Sequence, residues 1–258
     1  MGTTAKALGL LDQFSIERPE IGLSDFHRIV GRDKATVHRY LTELEQVGFV
    51  EQNPVTRAYR LGPAVLRLAT IRETCFPLQS AVAPVIQAAA GELGELIHFS
   101  LLQHDNLAPI AHSDPLRHGT AVVFDPGAVL PLHGTASGIA MLAFGPDDLW
   151  QAVEQGPLED FTGQTPTDRD TLHGLADTAR DKGFALANRT FDPDVVSVAM
   201  PVFGANGSAS GAVAVALPAG RLSDDLLDRA VATLRRIAPV LSQSLGGRMP
   251  AGMGVQDA

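Results

Sequence analysis

The segment 33–61 constrains the fold of this chain most, because it joins a strongly periodic helix to a hairpin. In KATVHRYLTELEQVG, Val37, Leu41 and Leu44 recur on one helical face, as in a helix that packs on its neighbours. Asp33 stands at the N-cap position, and a glycine follows the last turn. The stretches FVEQ and RAYRL come next, and the turn NPVT between them predicts a two-stranded wing.

Shorter helices are predicted on either side of this segment. Lys6–Phe14 is apolar-periodic, and Ser24 is placed as the N-cap of DFHRIVG, which ends at a glycine. Pro63 begins a further helix, AVLRLATIRETCF, which breaks before Pro77. We therefore expect a winged helix-turn-helix domain over 1–62 and a linker helix over 63–77.

From about residue 78 the pattern changes to a mixture of helices and alternating strands. The expected helices are LQSAVAPVIQAAAGELG, two that begin near Gly134 and Pro146, one over 168–182, and one from Ser223 to about Leu245. The expected strands are LIHFSLLQ, LAPIAHS, TAVVF, FALANRT, VVSVAMPVF and ASGAVAVAL. This mixture predicts an α+β domain over 78–246, and the Gly-rich tail 247–258 is expected to be disordered.

The net charge of −9 is unevenly distributed along the chain. Residues 1–76 hold 10 basic and 9 acidic side chains, whereas residues 77–258 hold 10 and 20, which indicates different partners for the two parts. The single cysteine, Cys75, excludes an internal disulfide framework and a cysteine-rich metal site. No apolar stretch approaches the length of about 18 residues that a membrane span needs. With no signal-peptide pattern, we expect a cytoplasmic protein.

The face of the helix 34–47 that lies opposite its apolar residues is basic at its start and acidic, with Glu43 and Glu45, towards its end. A recognition helix that enters the DNA major groove by its N-terminal half needs such a surface. An ordinary helical hairpin with a charged outer face is the alternative, but the wing and the basic placement favour DNA. The residues expected to contact DNA are Ser24, Lys34, Ala35, Thr36, His38, Arg39, Thr42, Arg57 and Tyr59.

The stretch KATVHRYLTELEQVGFVEQNPVTRAYRLGPAVLRLA resembles the winged helix-turn-helix of IclR-type bacterial transcriptional regulators. The resemblance continues through LPLHGTASGIAMLAF, KGFALANRTFDPDVVSVAMPVF and RLSDDLLDRAVATLRRIAPVLSQSLG, and so covers nearly the whole chain. The chain departs from the family pattern at Asp33, where Pro is frequent, and at Ala35, where Ser is common. The resemblance implies a GAF-like effector-binding domain, a small-molecule effector, and homodimers that pair into dimers of dimers. Because specific binding needs two half-sites, we expect a palindromic double-stranded DNA operator.

The stretch LPLHGTASGIAML places small and polar residues at the start of an apolar helix. It lacks the G-x-S-x-G pattern of a nucleophile elbow, and free N–H groups at a helix start attract a carboxylate or another electron-rich oxygen. A tightly packed helix start with a buried Ser137 is the alternative. In the family that the chain resembles, this motif borders the effector cavity. The expected effector-binding residues are His98, His133, Gly134, Thr135, Ala136, Ser137, Asn188, Ser197, Met200, Val213 and Ala214.

The resemblance also bears on the chemistry of the effector. Family members that sense small polar acids carry an Asp, a Cys and paired Ser at positions that match Asn188, Ser197, Ala214 and Ala216 in this sequence. An amide and two methyl groups there make the pocket less polar. A larger, partly apolar or aromatic effector is therefore favoured.

Two other functions remain open at this point. His133 and Ser137 could serve a hydrolase-like enzyme, although no base-and-orienter set accompanies them. Alternatively, the chain could be a sensor that acts through protein partners only. None of the histidines forms an H-x-x-x-H pattern, so neither a metal site nor a cofactor is expected. The favoured function is a non-enzymatic, ligand-responsive repressor of a catabolic or small-molecule-response operon.

Overall fold

Short helices and a hairpin form the first of the two units into which the chain divides, Met1–Pro77 and Leu78–Ala258. The computed structural model of the protein describes residues 2–15, 17–75, 77–250 and 253. In the first unit the helices are α1 (Thr3–Leu8), α2 (Leu23–Val30), α3 (Lys34–Gln46) and α4 (Pro63–Cys75), and the strands are β1 (Val50–Gln52) and β2 (Tyr59–Leu61).

The apolar face of α3 organises the core of this unit. Val37, Leu41 and Leu44 are all buried, as their spacing predicts, and they pack with Phe26 of α2 and Tyr59 of β2. Strands β1 and β2 pair antiparallel, which confirms the predicted wing. The proline at the start of α4 occupies its first helical position, where its missing N–H leaves no hydrogen bond unmade.

Two predictions for the start of the chain are wrong. The single helix expected over Lys6–Phe14 is broken: α1 ends at Leu8, Gly9 caps it, and a separate 3₁₀ turn covers Leu11–Gln13, because glycine is a poor helix interior residue. Ser24 is not the N-cap of α2. The carbonyl of Gly22 accepts the first helical hydrogen bond from the Phe26 N–H at 3.0 Å, which makes Gly22 the N-cap.

The second unit is built on an antiparallel sheet. Its helices are α5 (Leu78–Leu93), α6 (Ala136–Phe144), α7 (Asp148–Gln155), α8 (Arg169–Lys182) and α9 (Asp224–Ser244). Its strands are β3 (Leu96–Gln103), β4 (Asn106–Ser113), β5 (Leu130–Pro131), β6 (Ala185–Asn188), β7 (Val195–Phe203) and β8 (Ala209–Pro218), in the order β5-β4-β3-β8-β7-β6. The architecture is therefore mixed α+β, as the sequence predicts.

The two faces of this sheet carry side chains of different size. On β8, Val213, Val215 and Leu217 face α5 and α9, whereas Ala212 and Ala214 face α6, α7 and α8. Side chains alternate between the faces of a strand, so this sequence gives one bulky face and one shallow face. The shallow face lets α6 approach closely, and every residue of α6 except Phe144 is buried.

The segment between β4 and β5 differs from its prediction. TAVVF was expected as a strand, but residues 120–124 are irregular, and the short β5 pairs with β4 at this edge of the sheet instead. The β-propensity of valine and phenylalanine depends on context. Here the Phe124 ring lies against the rings of His98 and His112 rather than along a sheet edge.

Part of the tail that was expected to be disordered is packed. The Gly247 N–H donates to the Ser242 carbonyl at 2.8 Å, and Met249 packs against both cores of the second unit. Residues 251, 252 and 254–258 lie outside the described part of the chain, as does Phe76 at the predicted end of the linker helix. No helix among the described residues has the length and apolarity of a membrane span.

Candidate functional sites

The start of α3 is fixed by a side-chain cap. The Asp33 carboxylate accepts the Thr36 N–H at 2.8 Å, and hydrogen bonds with Thr36 lower the pKa of Asp33. An ionised carboxylate at this position complements the positive end of the helix. The cap therefore sets where the following side chains project.

The first turns of α3 present a basic, hydrogen-bonding surface. Lys34, Ala35, His38 and Arg39 are exposed. The Lys34 ammonium donates to the Ser24 hydroxyl at 3.1 Å, which places the exposed Ser24 beside the start of α3. The Arg39 guanidinium lies 5.4 Å from the centre of the Tyr40 ring, a cation–π geometry that holds the side chain against the helix.

Three of the expected DNA-contacting residues are less accessible. Thr36 and Thr42 are half-buried, and the Thr42 hydroxyl donates to the His38 carbonyl at 3.0 Å. Tyr59 is only 2 % exposed, and burial raises the pKa of its phenol. Tyr59 is a core residue, so its assignment to the DNA surface was wrong.

Arg57 occupies the tip of the wing. Asn53 shapes the turn by accepting the Val55 N–H at 2.9 Å, and Arg57 is exposed with φ of 61°. Its carbonyl accepts the Gln52 side-chain amide at 2.8 Å, which fixes this left-handed residue. The guanidinium is thereby carried on the turn, away from the core of the unit.

In the second unit, a cavity of about 160 Å³ lies at the start of α6. Helix α6, the ends of β3, β6, β7 and β8, and the segments 122–128 and 190–192 enclose it. The lining residues are His98, Val122, Val123, Phe124, Asp125, Ala128, Leu130, Gly134, Thr135, Ala136, Ser137, Ala187, Thr190, Phe191, Asp192, Val195, Ser197 and Ala216.

Thr135 caps α6 where it meets this cavity. Its hydroxyl accepts the Gly138 N–H at 3.0 Å and donates to the Pro131 carbonyl at 2.9 Å. The N–H groups of Ala136 and Ser137 have no acceptor within the helix, because they lie in its first turn. Ser137 is 2 % exposed, and within the described residues its hydroxyl makes no hydrogen bond. The cavity therefore contains unpartnered polar groups that a ligand could satisfy.

His98 forms another polar part of the lining. Its ring is buried, and Nδ1 lies 3.2 Å from the Ser100 hydroxyl. Burial, assisted by His112, lowers the pKa of His98 to about 4. The imidazole is therefore neutral near pH 7 and can donate or accept a hydrogen bond without a charge.

The wall opposite α6 is tied to the residues just before that helix by one side chain of the 189–192 segment. The Thr190 hydroxyl donates to the Gly134 carbonyl at 2.7 Å. Ser197 and Ala216 face the cavity from paired positions on β7 and β8. This wall brings together three strands and a loop that lie far apart in the sequence.

Five expected effector-binding residues do not line the cavity. Met200 and Val213 lie on the opposite face of the sheet, in the core with α5 and α9. They cannot share a wall with their strand neighbours, because side chains alternate. Ala214 is enclosed in the core with α6, and Asn188 is exposed at the end of β6, next to the lining residue Ala187. His133 precedes the lining residue Gly134 but does not itself line the cavity, and its Nε2 hydrogen-bonds to the Glu159 carbonyl at 2.9 Å.

Sequence reasoning missed most of the lining that comes from loops. Val122 and Phe124 belong to the segment expected as a strand, Asp125 directly follows it, and Phe191 and Asp192 follow β6. A strict period of two counted from Ser197 would have found Val195. The loop residues carry no periodic pattern, so only tertiary structure identifies them.

Two family models match this chain. The model described as the IclR helix-turn-helix domain matches residues 3–54. The model described as the bacterial transcriptional regulator IclR C-terminal matches residues 74–243. The first match spans α1 to α3 and the hairpin's first strand, and the second contains the whole cavity.

Individual relatives agree with these models. The chain is 32 % identical to the glycerol operon regulatory protein of Streptomyces griseus, over 88 % of this chain and 89 % of the relative. It is 30 % identical to the protein of the same name in Streptomyces coelicolor, with the same coverage. A solved structure of an IclR transcriptional regulator from Silicibacter sp. TM1040 is 40 % identical, with a TM-score of 0.88 over 99 % of this chain and 100 % of that chain. The protein therefore belongs to the IclR family of bacterial transcriptional regulators.

Proposed function

We propose that the protein is a repressor of a catabolic operon, and that a small organic effector in the cavity beside α6 changes its affinity for a palindromic operator. The carrying observation is that one chain combines an exposed basic face on α3 with a cavity in which the Ser137 hydroxyl and the first N–H groups of α6 have no partner. The names of the two Streptomyces relatives, which describe glycerol operon regulators, support an operon as the target.

The N-terminal half of α3 would read bases in the major groove. Arg39 and Lys34 can bind guanine O6 and N7, while the exposed Arg57 on the wing would contact phosphates. Phosphate contacts position a protein without reading sequence. Glu43 and Glu45, which also lie exposed on α3, would stay outside the groove.

A homodimer would present two such helices to two half-sites. Helix α4 buries only Ala64 among its described residues, and it exposes Leu66 by 74 %, Ile71 by 50 % and Leu68 by 41 %. Exposed apolar side chains grouped on one helix are typical of an interaction surface. This supports α4 as part of the dimer contact, and dimers could pair further into tetramers.

The size of the cavity limits the effector. A cavity of about 150 Å³ is known to hold one benzene molecule, so about 160 Å³ suits a ligand with one ring or a short chain. Its polar end would lie at the start of α6, against the Ser137 hydroxyl and the free N–H groups. Val122, Phe124 and Ala216 would contact its apolar part.

The DNA-binding part of the proposal is tested by fluorescence anisotropy on a labelled fragment from upstream of the gene. Arg39→Ala should weaken specific binding by about 1–3 kcal/mol, because a bidentate base contact is lost. Arg57→Ala should weaken binding to specific and random DNA alike, and reduce the salt slope by about 1. Arg236→Ala, on α9, is the matched control and should leave affinity unchanged.

Two results would contradict this part. Arg39→Ala that binds the operator as tightly as the wild type would show that α3 does not read bases. A protein that sediments as a monomer at micromolar concentration would contradict the proposed binding of a homodimer to two half-sites.

A further inference from the structure

The segment between β4 and β5, which supplies part of the cavity lining, has no regular secondary structure. Residues 114–129 connect β4 to β5, and Val122, Phe124 and Asp125 from this segment form part of the cavity lining. We propose that residues 114–125 form a strap that closes the cavity, is held by two anchors, and must move for a ligand to reach Ser137. The inference rests on the proposed function only in taking this cavity as the effector site.

The first anchor is a buried carboxylate behind the strap. The Glu95 side chain is 4 % exposed and forms an ion pair with Arg221, while His118 Nε2 lies 3.8 Å from its Oε1. Arg221 also donates to the Thr120 carbonyl at 3.5 Å. Glu95 precedes β3 and Arg221 follows β8, so these contacts tie the strap residues His118 and Thr120 to the sheet.

The strength of this anchor depends on Arg221. Burial raises the pKa of Glu95, and the charge of Arg221 opposes that rise. Charge-assisted hydrogen bonds are stronger than neutral ones, and loss of one partner leaves a buried charge without compensation. The Arg221 side chain is therefore the group whose removal should release this end of the strap.

The second anchor is aromatic. The centre of the Phe124 ring lies 5.0 Å from that of His98 and 4.9 Å from that of His112. These two histidines face each other across β3 and β4. Phe124 thus closes the cavity over the His98 ring, and its bulk sets how large a ligand the closed cavity accepts.

Between its anchors the strap is weakly held. Within the described residues, no backbone hydrogen bond involves Ala121, Val122 or Val123, and Val123 is 90 % exposed. On the other side of the first anchor, Leu116 has φ of 50°, a left-handed conformation that strains a bulky residue. Strain of this kind concentrates at ligand clamps and switch regions.

The sequence of the strap conflicts with its conformation. TAVVF has the composition of a strand, yet it lies outside the sheet. Conflict between local preference and global fold is expected at functional segments, which must hold more than one arrangement. Few hydrogen bonds and exposed apolar side chains also mark a segment that opens locally.

A thiol placed behind the strap measures its opening. Cys75 is the single cysteine of the chain and is exposed, so Cys75→Ser combined with Ser137→Cys leaves one thiol inside the cavity. Methyl methanethiosulfonate is a small, uncharged reagent, and intact mass gives the rate at which it modifies this thiol. The wild-type protein, labelled at Cys75, provides the rate for an accessible thiol.

With both anchors intact, the cavity thiol should react at least about tenfold more slowly than Cys75. Adding Arg221→Gln or Phe124→Ala should raise the rate about tenfold, which corresponds to roughly 1.4 kcal/mol of lost anchoring. Arg236→Gln breaks the ion pair between Arg236 of α9 and Glu92 of α5 and is the matched control, with no change expected. Two anchor variants are used so that a folding defect in one leaves the other as the test.

A cavity thiol that reacts as fast as Cys75 would contradict the proposal that the strap closes the cavity. The proposal is also overturned if the folded anchor variants label no faster than the Arg236→Gln control. Neither DNA nor an effector enters this assay. Failure of the protein to bind its upstream DNA would therefore refute the proposed function, while the labelling result would stay the same.

Discussion

At the scale of single residues, His98 shows how the fold sets a protonation state that the sequence does not reveal. Burial, with a smaller effect of His112, lowers its pKa to about 4 from 6.5. Since the unfolded chain takes up this proton more readily than the folded chain, the contribution of His98 to stability is fully present above pH 6.5. It is lost as the pH falls from 6.5 towards 4.

This loss predicts a specific pH dependence. Between pH 6.5 and pH 4 the wild-type protein should lose about 3 kcal/mol of unfolding free energy through His98, at 1.36 kcal/mol per pKa unit. His98→Gln should lose less over the same range, because it has no imidazole to protonate. Urea unfolding followed by circular dichroism measures both, and His38→Gln, at an exposed position on α3, is the control. If the wild type and His98→Gln lose equal unfolding free energy between pH 6.5 and pH 4, His98 is not the group responsible.

Residues of the cavity were partly predictable from the sequence. A run of small residues at a helix start is visible as a motif, and it correctly predicted the lining residues Gly134, Thr135, Ala136 and Ser137. His98 and Ser197, which were predicted from strands, also line the cavity. Met200 and Val213 were misplaced because strand parity was not enforced against Ser197 and Ala214. Asn188 was misplaced for the same reason, since Ala187 points inward.

At the scale of elements, α6 depends on the absence of a side chain at Gly138. A Cβ atom there would lie 2.2 Å from the Leu132 carbonyl oxygen, which is backbone and cannot move aside cheaply. The small residues of LPLHGTASGIAML therefore have a packing role as well as a place at the cavity. Close packing at the helix start is therefore observed at Gly138, while effector binding by the residues before it stays a prediction.

Two glycine substitutions test this packing. Gly138→Ala should destabilise the protein by about 1–3 kcal/mol or more, because the core is overpacked. Gly174→Ala is the matched control within α8, where a Cβ would meet nothing within 4 Å. It should stabilise by about 0.5–1 kcal/mol through helix propensity. The melting temperatures of both variants are measured by circular dichroism. A Gly138→Ala variant that melts at the wild-type temperature would show that α6 does not pack closely at Gly138.

Elements with strong periodicity or caps were predicted well. Asp33 caps α3 as predicted, and the helices expected over 168–182 and from Ser223 form, with Asp168 and Ser223 as their N-caps. The failures are TAVVF, the first helix and the Ser24 cap, where tertiary contacts or a glycine override local preference. TAVVF does not form the predicted strand because the strap that contains it is held by contacts with His98, His112 and Glu95, which a local sequence pattern does not reveal.

At the scale of the whole molecule, control of DNA binding by an effector requires the two units to be coupled. An effector changes DNA affinity only as far as it prefers one arrangement of the protein over another. Helix α4 and Pro77 form the covalent connection between the DNA-binding unit and the unit with the cavity. We expect the exposed apolar residues of α4 to carry the change to the partner's recognition helix.

The most direct test measures operator affinity with and without a cavity ligand. Benzoate, benzamide and short aliphatic acids are first screened by thermal shift, and the most stabilising compound is added at saturation to the anisotropy assay. The dissociation constant of the wild-type protein should change by about 5- to 150-fold, for a coupling of about 1–3 kcal/mol. Ala216→Phe, which fills the cavity, should bind the operator as the wild type does and show no response. An unchanged dissociation constant in the wild type, or an equal response in Ala216→Phe, would contradict the account.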